Sequence, residues 1–488
     1  MGFLVQATRS KIFKEFTKDE QIEYFSITRN KVLPGVDTLY FSVSIKNDSK
    51  DIKDNKIEYF INILNMFKTL EHDDVCWFDY ENELVYKDIS FGFYKHCISK
   101  ANMFDIFICN KLPNDSTPRI IVQIRSNMLW CFGERYSINY IVELLNIQLF
   151  QYSLEINEIK ENRIDFCYHT NSLQNFDSYF NDEYIKNNLD TSFKIGSKVF
   201  RKDNNDFSVE YLSLGNRKSN NLFFRTYNKS REVVEMAYKD FFLEIWLAYG
   251  LISKYDFYIL SYCYERQNIN KQYEAKIKFY IEHGKDKSII ENAEMLLKSD
   301  VATLDDYKKF SKNLCPDFTK VQNFEFQTMR KFYFNGDDLI NNLPILEDCN
   351  DKCLRLFQIL DNRKIFLDYL TNKTVCFNNT ENTGIAEFWN KIQKVKLDKT
   401  VQVHYNRSYR NDKNINLILN KLKSNLATYQ IYKGNDDTNI ITDMCDLINV
   451  INDNDIKELE RYSIVKSKKA KAQKSINTLK TLANNNDK

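Results

Sequence analysis

Phe223-Phe224-Arg225-Thr226-Tyr227-Asn228-Lys229 sets a tyrosine between two cationic side chains. Side chains alternate faces along a strand, so Arg225, Tyr227 and Lys229 fall on one face and Phe224 and Thr226 on the other. A phenol flanked by two cations suits attack on a phosphodiester: the cations hold the phosphate and the phenolate attacks phosphorus. A second segment, Arg163-Ile164-Asp165-Phe166-Cys167-Tyr168-His169, puts Asp165, Cys167 and His169 on one strand face. An acid and an imidazole two pleats apart can reach one divalent ion. The plainer reading is a buried strand whose Asp165 pairs with Arg163. Glu210, next to Tyr211, offers a third ligand, a base, or a cross-strand partner for a cation. Tyr211 is the competing phenol, and Trp130 and Phe132 are either core or a stacking surface for an unpaired base.

The bulk composition limits what else the chain can do. It has 488 residues, 43% hydrophobic and 14% aromatic, with a net charge of +2. A sizeable core can form, and any nucleic-acid surface must come from segregated rather than total charge. The 11 cysteines are scattered, which suits free thiols in a reducing compartment rather than a disulfide framework. Glycine is scarce, and neither a phosphate-binding loop nor a dinucleotide fingerprint occurs. No secretory leader opens the chain and no apolar run reaches the roughly 18 residues of a membrane span. The expectation is a cytoplasmic protein with no membrane contact.

These side chains need a sheet to hold them. Val36–Ile45, Arg119–Ser126, Arg163–His169, Ser208–Leu214 and Leu222–Lys229 read as strands, with Leu33-Pro34-Gly35 as a turn before the first. Lys56–Leu70 and Ser137–Gln151 read as helices, the latter with Ser137 as N-cap. Ser230 is expected to cap a helix whose ridge is Val233, Ala237, Phe241 and Ile245. Beyond residue 285 the periodicity is mostly helical, and Val321–Phe334 fits strand and helix equally. The expected fold class is therefore α+β: an antiparallel sheet with flanking helices, then a mainly α-helical C-terminal region. The division expected is a lead-in over 1–30, a catalytic domain over 31–284 and a helical region over 285–488. The last carries the acid-free run Lys466, Lys468, Lys469, Lys471 and Lys474.

Taken in order, Arg163-Ile164-Asp165, Gly215-Asn216-Arg217-Lys218-Ser219 and Phe223–Lys229 resemble the motifs of plasmid rolling-circle replication initiators of the trans-acting family. The strand bearing Asp37 resembles that family's first strand, and the likeness runs over about residues 36 to 250. The resemblance implies a metal-dependent nicking and rejoining enzyme that starts DNA replication or mobile-element transfer at an origin. Tyr227 would carry a 5′-phosphotyrosine intermediate, with Arg225 and Lys229 on the phosphate. Arg217 and Lys218 would hold the DNA backbone, and Lys466, Lys468 and Lys469 the flanking duplex. Mg²⁺ or Mn²⁺ would sit on Asp165, His169 and Glu210, with His169 standing where the family has a second acid. The implied partners are origin DNA, a host helicase and a second copy of the chain. Two rivals stand beside this: an origin-binding protein of the same fold that does not nick, and a tyrosine recombinase. The latter would need its tyrosine on a late helix.

Overall fold

The computed structural model describes residues 2–3, 7–48, 55–69, 77–87, 89–90, 92–110, 117–174, 182–193, 199–202, 209–216, 221–236, 238–335 and 353–395. The chain divides into two compact units. Residues 1–57 and 111–404 belong to one, and residues 58–110 to the other.

The larger unit is built on an antiparallel sheet with helices against it, the α+β class expected. Its strands are β1 (Val32–Ile45), β2 (Ile120–Arg125), β3 (Ile156–Thr170), β4 (Val199–Lys202), β5 (Val209–Leu214), β6 (Leu222–Asn228) and β7 (Gln322–Met329). They lie in the order β4-β5-β6-β7-β3-β1-β2. The hairpin β5–β6 forms as its sequence predicts, with Tyr211 opposite Tyr227 and Ser213 opposite Arg225. β7 settles the ambiguity of Val321–Phe334: a strand to Met329, then a helix from Arg330 to Asn335. It enters the middle of the sheet, pairing with β6 on one side and β3 on the other. Residues from beyond 285 thus share a sheet with the segments before them.

Leu33-Pro34-Gly35 is strand rather than turn: the three stand opposite His169, Tyr168 and Cys167. Proline is tolerated there because β2 reaches along β1 only to Thr38, so Pro34 owes no hydrogen bond on that side. The β1/β3 register slips at three places, the first between Val36, opposite Phe166, and Thr38, opposite Asp165. The residue in this first slip is Asp37, and such a bulge re-aims a side chain.

The two faces of the sheet differ in character. Phe224, Phe324 and Phe326 point one way, into Phe377, Phe388 and Trp389. Arg225, Tyr227, Asn323, Glu325, Asp165, Cys167 and His169 point the other way. That second face is covered by α1 (Ser126–Phe132) and by helices that follow β6: α2 (Lys229–Glu235) and α3 (Phe241–Ala248). The single helix expected from Ser230 is two. Its cap is Asn228, whose side chain accepts the N–H of Arg231, and it stops at Met236, where the backbone turns extended. Ser137 likewise lies inside its helix, Glu134–Phe150, with Oγ donating to Gly133 O at 2.6 Å. The N-terminal segment holds helices Lys11–Glu15 and Lys18–Phe25, the second with a Thr17–Glu20 capping box.

The smaller unit carries an antiparallel run of Trp77–Asp79, Leu84–Lys87, Tyr94–Lys100 and Phe104–Cys109. Phe67, on helix Asn55–Thr69, stacks on Tyr86 in it. Among the described residues no helix is long and apolar enough to cross a membrane.

Gly35 is where the backbone must be bare. A Cβ there would lie 2.6 Å from Trp130 Cη2 and closer still to Cζ2. We expect Gly35→Ala to push Trp130 off the sheet and to cost about 1–3 kcal/mol, the usual range for overpacking. Urea denaturation of the two proteins checks this, and an unchanged midpoint would show that the indole is not held there.

Candidate active site

Tyr227 closes the polar face of β6 and is only 8% exposed. Its hydroxyl has partners on every side. Lys229 Nζ donates to it at 3.2 Å and Asn323 Nδ2 at 3.0 Å, and it donates to Glu325 Oε2 at 3.4 Å. β7 supplies two of these because its register sets Asn323 opposite Tyr227 and Glu325 opposite Arg225. Arg225 spends Nε and Nη2 on Glu325 Oε1, at 2.8 and 2.6 Å, while Oε2 accepts from the phenol and from Asn323 Nδ2, the latter at 3.2 Å. Burial pushes the phenol well above its ordinary pKa; Lys229 and Arg225 pull it down, and Glu232 and Glu325 push it up. Burial also raises the carboxyl of Glu325, against the pull of Arg225. Both shifts run upward, so burial alone does not bring the proton affinities of phenol and carboxyl together.

Lys229 is the first residue of α2 rather than the last of β6, yet its ammonium turns back onto the same face. It is fully buried, 2.8 Å from Glu232 Oε2, 3.5 Å from Asp37 Oδ1 and 4.8 Å above the ring of Phe242. Burial works against its charge; Asp37 and Glu232 outweigh it and hold the ammonium well above its usual pKa. Burial would also raise the two acids. Lys229, with Lys239 behind it, instead holds Asp37 far below the carboxylate range and brings Glu232 down to about 2.

His169 lies under an aromatic lid. The indole of Trp130 stacks on it at 4.7 Å and 5°. Phe242 and Trp246 meet it edge-on at 5.0 and 5.8 Å. Trp246 Nε1 donates to His169 Nδ1 at 3.1 Å, while Nε2 is buried without a partner among the described residues. Burial, with Lys229 adding to it, lowers its pKa from 6.5 to about 3, so the ring is neutral at pH 7.

Of the expected metal ligands, Asp165 and His169 take different partners. Asp165 shares a strand face with His169, but its carboxylate takes the guanidinium of Arg163, from Nε at 2.7 Å and from Nη2. His169 groups instead with Asp37 and Cys167, whose ligating atoms and its own lie within 4.8 Å of one another. Mg²⁺ and Mn²⁺ want oxygen ligands and water. This set offers one carboxylate, already beside Lys229, a thiol that burial keeps protonated, and an imidazole already accepting from Trp246. As arranged, these residues do not fit a hard divalent ion. Glu210 falls on β5, and its side chain lies outside the described residues, as do Arg217, Lys218, Lys466, Lys468 and Lys469.

Tyr227, Arg225 and Lys229 do come together. Asn323, Glu325 and Glu232 were not singled out by the sequence reading, and Asp37 was noted only by resemblance. The all-buried run of β7 hides Asn323 and Glu325. The signal available was the alternation of Asn323, Glu325 and Gln327 with Phe324 and Phe326.

No protein-family model matches the chain, and no curated protein matches it. Among solved structures, a rolling circle replication initiator protein from Geobacillus stearothermophilus is similar at a TM-score of 0.31 and 12% identity, covering 76% of this chain and 100% of that one. So loose an overlap carries no argument about chemistry.

Lys229→Met would leave Asp37 and Glu232 facing each other without their shared cation. We expect a loss of about 3–5 kcal/mol, the range for removing one partner of a buried ion pair. Asp37→Asn in the same chain should return part of it, as read by chemical denaturation of the two single variants and the double. His169 gives a pH signature. Its folded pKa of about 3 lies below its ordinary 6.5, so on acidification the unfolded imidazole takes its proton first. Stability is then full above 6.5 and falls as pH drops toward 3, by up to about 1.4 kcal/mol per pH unit. His169→Gln should flatten that window, and parallel curves for the two proteins would show that the ring is not buried neutral.

Proposed function

We propose that this chain is a nicking and rejoining enzyme that acts on DNA at a replication or transfer origin, with Tyr227 as the nucleophile. The observation that carries the reading is the setting of the phenol, bound at once by an ammonium, an amide and a carboxylate. In the reaction the phenol O–H proton passes to Glu325, and the oxygen attacks phosphorus. The bond from phosphorus to the 3′ oxygen breaks as the bond to Tyr227 forms. The leaving oxygen takes back one proton and is freed as a 3′ hydroxyl, with the 5′ phosphate held on the protein. Lys229 steadies the phenolate as it forms. Arg225, whose side chain remains 19% exposed, would meet the phosphate oxygens. The covalent bond keeps the energy needed for rejoining, so the scheme needs no nucleotide. No step of it runs through a metal ion. The ordered motifs of Arg163–Asp165, Gly215–Ser219 and Phe223–Lys229 support origin DNA as the substrate.

A second reading has the specific support of Tyr227's burial. An origin-binding protein on this fold could keep the phenol as a core hydrogen-bonding residue and never nick.

One experiment separates the two. The protein is incubated with single-stranded DNA from its own element's origin, with Mg²⁺, Mn²⁺ or EDTA. Adducts are resolved on a denaturing gel and mapped by mass spectrometry. We expect the DNA on the peptide holding Tyr227, none with Tyr227→Phe, and adduct formation slowed roughly 10²–10⁴-fold by Glu325→Gln, the worth of a general base. An adduct that survives Tyr227→Phe moves the nucleophile elsewhere, with Tyr211 next, its ring 6.3 Å away. No wild-type adduct under any condition favours the binding protein.

A further inference from the structure

His169 is the acid–base group that the nicking scheme leaves unused, and its surroundings fix more than its position. A neutral imidazole has one N–H and one bare nitrogen, and the partner of either decides which is which. The partner here is an indole. Trp246 Nε1 sits 3.1 Å from Nδ1, and an indole N–H can only donate. Nδ1 must therefore be the bare nitrogen, which leaves the proton on Nε2. Metal-binding histidines show the opposite arrangement: the nitrogen away from the metal gives its N–H to a carboxylate or carbonyl, leaving the other bare for the ion.

We infer that Trp246 fixes His169 as a hydrogen-bond donor through Nε2, which removes it from metal coordination and leaves Lys229 as the resident cation beside Asp37. Three further observations agree. His169 is fully buried and Nε2 has no partner among the described residues, so it is a donor awaiting an acceptor rather than a ligand already paired. The adjacent Cys167 is buried and kept protonated, and a metal would need the thiolate. Asp37 already faces a lysine ammonium at 3.5 Å, so an ion bound there would sit against a like charge in a buried setting. The site is then organised around fixed cations of the chain. This inference does not depend on whether Tyr227 nicks DNA.

The test reads the tautomer directly. Long-range ¹H–¹⁵N correlation spectra of ¹⁵N-labelled protein show which ring nitrogen of each histidine carries the proton, and His169→Gln assigns the signal. We expect His169 in the Nε2–H form, with an unprotonated Nδ1, at every pH from 5 to 9. Trp246→Phe should raise the Nδ1–H population about fivefold, which corresponds to one neutral hydrogen bond of about 1 kcal/mol. Cobalt(II) added to the wild-type protein should give no thiolate-to-metal absorption band. An Nδ1–H wild-type ring would overturn the inference. So would a cobalt band that disappears in both Cys167→Ser and His169→Gln. Should Trp246→Phe fail to fold, the wild-type spectrum decides alone.

Discussion

An ammonium taken wholly out of water must be neutralised where it lies, and Lys229 imposes that demand on everything around it. Leaving such a charge unpaired costs several kcal/mol, a large part of the roughly 5–15 that hold a domain folded. The answer draws on separate elements. Asp37 comes from a register slip in β1, Glu232 from the first turn of α2, and Phe242 from α3. Lys239 then offsets the second charge on Glu232, at 2.7 Å. Moving any of these elements would strand a charge, so the same network that surrounds the phenol also fixes how strand and helices meet.

The sheet separates two tasks by face. Phe224, Phe324 and Phe326 meet Phe377, Phe388 and Trp389 on one side, where apolar burial stabilises the unit. The other side carries paired charges, which contribute little net stability once their desolvation is counted. Alternation along a strand makes this possible: the neighbours in sequence of a residue that packs point to the polar face. Gly35 is the one backbone position where the polar face had to be stripped bare, so that Trp130 could lie flat over His169.

How far the sequence could be read follows from distance along the chain. The shared face of Arg225 and Tyr227 and that of Asp165, Cys167 and His169 were legible, because alternation is a local rule. The β5–β6 hairpin was legible for the same reason. β7 was not: within Val321–Phe334 the alternation of Asn323, Glu325 and Gln327 with Phe324 and Phe326 is short and runs straight into the helix that starts at Arg330, so the window mixes two periods. With β7 went Asn323 and Glu325, and so the hydrogen bonds of the phenol. Asp37 was hidden differently, since no residue-type signal marks a register slip. The break at Met236 between α2 and α3 interrupts an apolar ridge that reads as continuous, and beyond it Phe242 and Trp246 meet His169. The pairing of Asp165 with Arg163 was the plainer alternative from the start, and the structure takes it.

The position of β7 in the sheet also bears on the order in which the protein is made. It is a central strand, yet it follows β6 by more than ninety residues and is the last of the sheet's strands to leave the ribosome. Until it arrives, β3 and β6 have open inner edges, and long-range pairings of this kind form slowly. A nascent chain therefore exposes two strand edges for as long as those intervening residues take to be synthesised, a period in which edge-to-edge aggregation is the hazard. It also means that Tyr227 acquires Asn323 and Glu325 only when the sheet closes. A truncated product ending before residue 322 would carry the tyrosine motif intact and yet leave its phenol without two of its three hydrogen-bond partners, so only completed synthesis gives the tyrosine its setting.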